Sequence, residues 1–199
     1  IYGFEYVETD VVFTSDGIAV LLHDGTIDRT SDGTGSIRNM TFEQVRQYDF
    51  GSWKSEQYAG EKIPSLEEFM VLCKQLGLKP YIEFKEGGGY SESEINSVLQ
   101  IANKCGMLNN CTWLSKNTTY LNQVLAVNPY ARIDYIVDPL TSADVLIASS
   151  LKTDTNEVII GADYHDITDE LVDECFDAGI PLELWTLDTS SIMTALNPY

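Results

Sequence analysis

The sequence is short of positive charge. It has 12 Lys and Arg residues against 31 Asp and Glu residues, which gives a formal net charge of −19 over 199 residues. Non-specific binding to nucleic acid or to an anionic membrane depends on positive protein charge. We therefore expect no nucleic-acid partner. An anionic small substrate remains compatible with this charge, provided that a cation lies in the binding site.

The sequence also lacks a long apolar run. No stretch approaches the roughly 20 apolar residues of a membrane-spanning helix, so we expect no stable membrane insertion. The composition, 44% hydrophobic and 22% charged, is that of an ordinary globular protein. A chain of 199 residues is long enough for one sizeable domain.

Cysteine occurs four times and never as a C-x-x-C pair, which argues against a structural zinc site. Cys105 and Cys111 are close in sequence, and they could form a disulfide in an oxidising compartment. Free or buried thiols are the other interpretation of the same residues.

What the sequence does contain is an alternation of strand-like and helix-like segments. The predicted strands are 6–14, 18–22, 80–85, 111–115, 132–137, 157–161 and 181–187. The predicted helices are 42–48, a helix that begins after Ser65, 92–105, 117–127, 142–149 and 168–178. This order predicts an α/β protein with a parallel sheet covered by helices.

The ends of the predicted strands favour a TIM (β/α)₈ barrel. Several strands end in polar or charged residues, namely Asp10, Lys85, Ser115, Asp138 and Asp188. In a TIM barrel, the C-terminal strand ends carry the active site. A doubly wound sheet usually has a glycine-rich phosphate loop, and neither GxGxxG nor GxxxxGK[ST] is present. Six strands remain when 18–22 is treated as an excursion, so two barrel strands are missing from the pattern.

The first predicted strand carries two carboxylates on one face. Glu8 and Asp10 are two residues apart in YVETDVVF, and side chains with this spacing on a strand point to the same side. Buried carboxylates are costly, and neighbouring anions repel each other. A divalent cation such as Mg²⁺ or Ca²⁺ removes both costs. A hydrated strand end with exposed acids is the alternative.

The strand PYIEFK has a similar pattern, with Tyr81, Glu83 and Lys85 on one face. Glu83 is a candidate third carboxylate ligand for the cation. Lys85 is a candidate for binding an anionic ligand or for neutralising the acids. A structural Glu–Lys pair is the alternative interpretation of these two residues.

His23, in VLLHDG, is a candidate general acid or base because histidine titrates near neutrality. The only other histidine, His165, has no comparable neighbourhood, and we expect it at the surface or the mouth of the site. Trp185, in LELWTLD, lies late in a predicted strand. An aromatic residue at that position either packs in the interior or contacts substrate.

Taken together, these segments resemble the glycerophosphodiester phosphodiesterases. The stretch YVETDVVFTSDGIAVLLHDGTIDRTSDGTGSI resembles the core signature of that family, which is an E-x-D strand, a T-x-D-G turn, and H-D followed by R-T. The segments IPSLEEF, YIEFK and LWTLD resemble three further family segments. Each segment alone is a weak signal, but their order and spacing together are specific.

The resemblance implies a TIM barrel that hydrolyses a small glycerophosphodiester to glycerol 3-phosphate and an alcohol. The residues that match metal ligands, for Mg²⁺ or Ca²⁺, are Glu8, Asp10 and Glu83. His23 matches one of two catalytic histidines. Lys85 and Trp185 match residues that line the substrate pocket.

The sequence departs from the family pattern at both ends. Neither the H-R-G strand with the other catalytic histidine nor the E-N-T segment with a further metal-site glutamate has a counterpart, and the final strand is missing. We therefore expect residues 1–199 to form a single, incomplete barrel domain. Two alternatives stay open: a related barrel phospholipase of the sphingomyelinase D type, and a catalytically inactive barrel that serves as a binding module.

The expected gap leads to a prediction about assembly. Open sheet edges invite pairing with another chain, so we expect residues 1–199 alone to be inactive and either poorly stable or self-associated. We expect the chain extended by its native flanking segments to be a monomer with activity. Size-exclusion light scattering, combined with a glycerophosphodiester assay on both chains, measures this. A stable monomer with full turnover from the 199 residues would contradict the expectation.

Overall fold

The computed structural model describes residues 3–188. The described residues divide into two compact units, the first ending at Trp113 and the second beginning at Leu114. Parallel strands and helices alternate in each unit, as an α/β fold requires. None of the helices in the described residues is both long enough and apolar enough to cross a membrane.

The strands and helices follow the predicted order closely. The strands in the described residues are β1 Tyr6–Phe13, β2 Ala19–Leu21, β3 Lys79–Glu83, β4 Thr112–Ser115, β5 Arg132–Val137, β6 Glu157–Asp163 and β7 Leu182–Trp185. The α-helices are α1 Phe42–Val45, α2 Leu66–Leu76, α3 Glu92–Lys104, α4 Thr118–Val127, α5 Ser142–Leu151 and α6 Asp169–Ala178. Short 3₁₀ turns lie between several of these elements.

In the first unit, β1 pairs with two strands. It is antiparallel to β2, with Val11 opposite Leu21, and parallel to β3, with Asp10 opposite Glu83. A tight turn joins β1 to β2, and Gly17 in that turn has a φ of 79°. Glycine adopts this positive φ without a steric cost. The predicted Asp-Gly turn is thus confirmed, and the predicted excursion 18–22 shortens to the three residues of β2.

Helices α2 and α3 of the first unit, like α1, begin at capping boxes. The Ser65 side chain accepts a hydrogen bond from the Glu68 backbone N–H, and the Glu68 carboxylate accepts one from the Ser65 N–H. Ser91 and Glu94 repeat the arrangement at the start of α3. Each box satisfies backbone N–H groups that the first helical turn leaves without partners. The predicted helix after Ser65 and the predicted helix 92–105 are both confirmed, the latter ending one residue earlier.

The helix predicted over 42–48 is wrong in length. Thr41 caps α1 as expected, but α1 ends at Val45. The following N–H groups of Gln47 and Tyr48 bond to carbonyls three residues back, so the chain tightens into 3₁₀-type turns. Val45 is nevertheless fully buried. It belongs to an apolar cluster whose other buried members are Val12, Val20, Leu22, Ile27, Ile37 and Ile63.

In the second unit, β5, β6 and β7 form parallel pairs. The strand predicted over 157–161 extends to Asp163, and the strand predicted over 181–187 shortens to Leu182–Trp185. Asp134 on β5 is buried, and it approaches Gly161 on β6 closely. A Cβ atom at Gly161 would lie 2.7 Å from an Asp134 carboxylate oxygen, so only glycine fits this position without displacement.

All four cysteines are free thiols, including Cys105 and Cys111, for which a disulfide was the alternative. Cys111 is buried, and its sulfur lies 3.9 Å from the Met70 sulfur. Burial raises the pKa of the Cys111 thiol to about 12. This thiol is therefore protonated and unreactive at neutral pH.

The buried hydroxyl of Tyr90 provides a test of the packing in the first unit. Tyr90 Oη donates a 2.6 Å hydrogen bond to the Val11 carbonyl, and its ring lies edge-on to Phe84. Tyr90→Phe leaves that carbonyl without this donor, so we expect it to lower the free energy of unfolding by about 1 kcal/mol. Tyr130→Phe, at an exposed ring, is the matched control and should change it by less than about 0.5 kcal/mol. Urea denaturation measures both, and equal losses would contradict the expectation.

Candidate active site

Three carboxylates converge where β1 and β3 run side by side. The register places Asp10 opposite Glu83, and Glu8 lies two residues before Asp10 on the same side of β1. One carboxylate oxygen from each of the three residues lies within 4.8 Å of the others. The structure therefore brings together the three residues that the sequence suggested as metal ligands. We call this group the carboxylate cluster.

The members of the carboxylate cluster differ in exposure. Asp10 is buried, Glu83 is partly buried, and Glu8 remains accessible to solvent. Desolvation, followed by the charges of Asp10 and Glu83, raises the pKa of Glu8 to about 7. Since solvent still reaches Glu8, the repulsion between like charges is the cause that the geometry supports more strongly. Burial, and then the charge of Asp10, also raise the pKa of Glu83, although Lys85 opposes this shift.

Lys85 lies beside two of these carboxylates. It follows β3 rather than belonging to it, so the prediction of a strand through Lys85 is wrong by two residues. Its Nζ nevertheless lies 2.8 Å from Asp10 Oδ1 and 3.2 Å from Glu83 Oε2. Burial acts to lower the pKa of Lys85, but its contacts with Asp10 and Glu83 outweigh that effect and raise it. Lys85 is thus a charged ammonium that neutralises part of the cluster.

The charge balance and the donor atoms of the cluster fit a divalent cation. One ammonium beside three carboxylates leaves an excess of negative charge, which is consistent with the raised pKa of Glu8. All three donors are oxygens, which Mg²⁺ and Ca²⁺ prefer. Two oxygens bound to one Ca²⁺ ion are at most about 5 Å apart, and the spread within the cluster is compatible with that limit. Mg²⁺, with shorter bonds, requires small side-chain rotations.

His23 lies just after β2 and close to β1, the strand that carries Glu8 and Asp10. The residue before His23, Leu22, donates a 3.1 Å hydrogen bond from its N–H to the Asp10 carbonyl. The His23 ring is 63% exposed, and its Nδ1 lies 2.6 Å from Asp24 Oδ1. His23 is near enough to the cluster for its charge to act on Glu8. The structure therefore places the candidate acid–base residue beside the candidate cation site.

The sequence pattern assigns no function to Asp24 or Arg29, which occur in the H-D and R-T parts of the family signature. The structure joins them, because Arg29 Nε donates to Asp24 Oδ2 at 2.7 Å and Arg29 Nη2 donates to Asp24 Oδ1 at 3.1 Å. The spacing of five residues between Asp24 and Arg29 was visible in the sequence. Nothing local indicated that the chain between them turns back to make this pair.

The other two residues singled out in the sequence lie in the second unit. His165 Nδ1 lies 2.6 Å from Asp163 Oδ1, and its ring is 67% exposed, as expected for a surface position. Trp185 ends β7 and is partly buried. Its indole Nε1 is shielded from solvent. The contact of Trp185 with substrate stays a prediction.

Comparison with known proteins gives a consistent result. The model of the "Glycerophosphoryl diester phosphodiesterase family" matches residues 2–199. A curated glycerophosphodiester phosphodiesterase of Caldanaerobacter subterraneus is 29% identical over 196 residues, which cover 96% of this chain and 77% of that protein. Glycerophosphodiester phosphodiesterase 1 of Homo sapiens is 43% identical over 85 residues. That match covers 42% of this chain and 26% of the human protein.

Solved structures agree over nearly the whole chain. A phosphodiesterase of Oleispira antarctica, in complex with the product sn-glycerol-3-phosphate, matches with a TM-score of 0.88 and 28% identity. The match covers 98% of this chain and 78% of that one. A putative glycerophosphodiester phosphodiesterase of Galdieria sulphuraria matches with a TM-score of 0.80 and 25% identity, covering 97% of this chain and 78% of that one. The predicted TIM-barrel-type α/β fold is thereby confirmed.

The raised pKa of Glu8 predicts how stability depends on pH in the presence of a chelator. The pKa of Glu8 is about 7 in the folded state, above its ordinary value of 4.5, so folding favours the protonated form. This stabilisation is fully present below pH 4.5 and is lost as the pH rises through about 7. We therefore expect the free energy of unfolding to fall between pH 5 and 8.

Glu8→Gln should remove much of that fall, leaving the part that comes from Glu83. Glu56→Gln, at an exposed position away from the cluster strands, is the control and should keep the full fall. Urea denaturation at pH 5, 6, 7 and 8 provides the measurement. An undiminished fall in Glu8→Gln would show that Glu8 is not the group responsible.

Proposed function

We propose that this chain, which belongs to the glycerophosphoryl diester phosphodiesterase family, uses a divalent cation to hydrolyse glycerophosphodiesters to glycerol 3-phosphate and an alcohol. Membership of this family makes the chain a phosphodiesterase. The observation that carries the finer proposal is the carboxylate cluster of Glu8, Asp10 and Glu83 beside His23. The product bound to the Oleispira antarctica phosphodiesterase supports glycerol 3-phosphate as the product here.

Glu8, Asp10 and Glu83 would hold the cation. When bound, a divalent cation supplies Lewis acidity toward a phosphoryl oxygen and a template for the glycerol hydroxyl. The excess negative charge of the cluster gives the site its preference for such an ion. Mg²⁺ and Ca²⁺ are the two ions that the oxygen donors suit.

Lys85 has a second role in this proposal. Its ammonium is held by Asp10 and Glu83 at the edge of the cluster and is partly accessible to solvent. A phosphodiester carries one negative charge, which a lysine ammonium in this position attracts as a point charge. Trp185 would supply an apolar surface for the rest of the substrate, as the family resemblance suggests.

His23 would donate a proton to the leaving alcohol. In the proposed first step, the 2-hydroxyl of the glycerol attacks phosphorus and the bond to the alcohol oxygen breaks. The alcohol oxygen takes a proton from His23, and a cyclic phosphate remains. Water opens this ring in a second step and gives glycerol 3-phosphate. The base for the attacking hydroxyl would be the histidine of the H-R-G segment, which has no match in this sequence.

The comparisons favour a small diester over a membrane lipid as the substrate class. The relatives and structures named above are phosphodiesterases, and the products and substrates in their names are glycerophosphodiesters or glycerol 3-phosphate. Choline release from glycerophosphocholine, measured against choline release from sphingomyelin vesicles, separates the two classes. Release from sphingomyelin alone would favour the phospholipase alternative.

Metal binding predicts a thermal shift that depends on the cluster. A ligand that binds only the folded state at about 100 times its Kd adds about 2.7 kcal/mol, which corresponds to a rise in Tm of about 5–10 °C for a chain of this size. We expect Mg²⁺ or Ca²⁺ to produce such a rise, and Glu8→Ala or Asp10→Ala to abolish it. Asp154→Asn, at an exposed loop position, should keep it. An ion that stabilises both alanine variants as it does the parent would refute the assignment.

The role of His23 predicts a loss of turnover without a loss of folding. In the chain extended by its native flanking segments, His23→Ala should lower kcat on glycerophosphocholine by at least about a hundredfold, since a general acid contributes roughly 10²- to 10⁴-fold. The matched control is His165→Ala, which removes an equally exposed histidine with a similar aspartate contact and should have little effect. A diester whose leaving group is p-nitrophenol should restore part of the lost rate. Near-normal turnover on glycerophosphocholine would remove His23 from the mechanism.

A further inference from the structure

We propose that Asp24 and Arg29 are positioning residues, which hold the His23 imidazole in the tautomer and orientation that proton donation requires. The proposal rests on the proposed function, because it gives the partners of His23 a role in the same reaction. It does not follow from the carboxylate cluster, to which neither residue belongs.

The contact between His23 and Asp24 determines which ring nitrogen carries a proton. His23 Nδ1 lies 2.6 Å from Asp24 Oδ1. Hydrogen bonds from Arg29, and then from His23, lower the pKa of Asp24 to about 2. The carboxylate is therefore ionised at neutral pH and can only accept, so Nδ1 must be the donor. Nε2 is left as the nitrogen that gains and loses the catalytic proton.

Arg29 in turn determines how Asp24 is oriented. It bonds both carboxylate oxygens, through Nε and Nη2, so the carboxylate cannot rotate freely about its own bond. The Arg29 guanidinium also lies over the Trp53 ring, 6.0 Å from its centroid. Trp53 is held by its own Nε1, which donates to the Phe50 carbonyl at 2.9 Å. The chain of contacts therefore runs from Trp53 through Arg29 and Asp24 to His23.

The loop that carries Trp53 is itself well ordered by one side chain. The Asp49 carboxylate accepts hydrogen bonds from the backbone N–H groups of Gly51, Ser52 and Gly60 and from the Ser52 hydroxyl. These bonds lower the pKa of Asp49 well below its usual range. Gly51 is required there, because a Cβ atom would lie 1.7 Å from the Tyr58 carbonyl oxygen. Trp53, the last residue in this series of contacts, therefore lies in a loop whose conformation is fixed by hydrogen bonds to Asp49.

A purely structural role does not explain the pair. The side chains of Asp24 and Arg29 are 28% and 54% exposed, and ion pairs this accessible contribute about 0–1 kcal/mol to stability. An imidazolium, in contrast, gains from a carboxylate fixed at its Nδ1, as in Ser-His-Asp triads, where the aspartate orients the histidine. The arrangement is therefore better explained by orientation of the His23 ring than by stabilisation of the fold.

The first test reads the tautomer of His23 directly and needs no substrate. The chain has two histidines, so His165→Gln leaves the ¹⁵N imidazole signals of His23 alone in the spectrum. At pH 8 we expect these signals to show the tautomer protonated at Nδ1. In Asp24→Ala they should move toward those of a free imidazole, whereas Asp163→Ala should leave them unchanged. An unaltered tautomer in Asp24→Ala would overturn the proposal.

The second test uses kinetics. In the chain extended by its native flanking segments, Asp24→Ala should lower kcat on glycerophosphocholine by about ten- to a hundredfold, with KM changed less than about twofold, as for other residues that orient a catalytic group. The loss should largely disappear with p-nitrophenol as the leaving group, because p-nitrophenolate departs without a proton. Arg29→Lys keeps the charge but not the two-point contact, so we expect a smaller loss with the same dependence on the leaving group.

A double variant distinguishes an effect of Asp24 that acts through His23 from a general effect of Asp24 on the site. If Asp24 acts through His23, the variant with both Asp24→Ala and His23→Ala should be no slower than His23→Ala alone. Additive losses, or equal losses with both leaving groups, would overturn the proposal. If the parent protein does not hydrolyse glycerophosphodiesters at all, the proposed function fails. The tautomer measurement then still decides whether Asp24 positions His23.

Discussion

The repulsion among three carboxylates is the constraint on which the site depends. Parallel pairing of β1 with β3 sets Asp10 opposite Glu83, and the two-residue repeat of a strand puts Glu8 on the same side. Desolvation together with the neighbouring negative charges raises the pKa of Glu8 to about 7, and the same charges hold Lys85 against Asp10. A divalent cation, a proton or an ammonium must balance this charge, and Lys85 supplies one ammonium.

The elements around the cluster place the His23 imidazole near it without adding to the repulsion. The backbone bond from Leu22 to Asp10 attaches the end of β2 to the cluster strand, so His23 is close enough for its charge to act on Glu8. The apolar cluster that contains Leu22, Ile27 and Val45 packs the long segment between β2 and α2. Because that segment is packed, Arg29 can pair with Asp24 at the surface. His23 thus has its own carboxylate, separate from those that would hold the cation.

The local elements were predictable where short-range chemistry determines them. The capping box of Ser65 and Glu68 located the start of α2, because its two hydrogen bonds join residues only three apart. The Asp-Gly turn after β1 was predictable for the same reason. The predicted α1 was too long, because its apolar residues pack in the apolar cluster of the segment between β2 and α2 and do not form one face of a regular helix. Lys85 falls beyond the predicted strand end, yet its long side chain still reaches Asp10.

The sequence by itself determined that Glu8 and Asp10 share a face, that Glu83 recurs on another strand and that His23 follows the excursion, since all of these are matters of spacing and order. Its motifs also determined the family. Only the tertiary structure decided that Asp10 lies opposite Glu83, that Lys85 neutralises both, and that Arg29 holds Asp24 against His23. The physical reason is that strand register and ion pairing join atoms across separate segments, and such distances depend on how the whole core packs rather than on any local repeat.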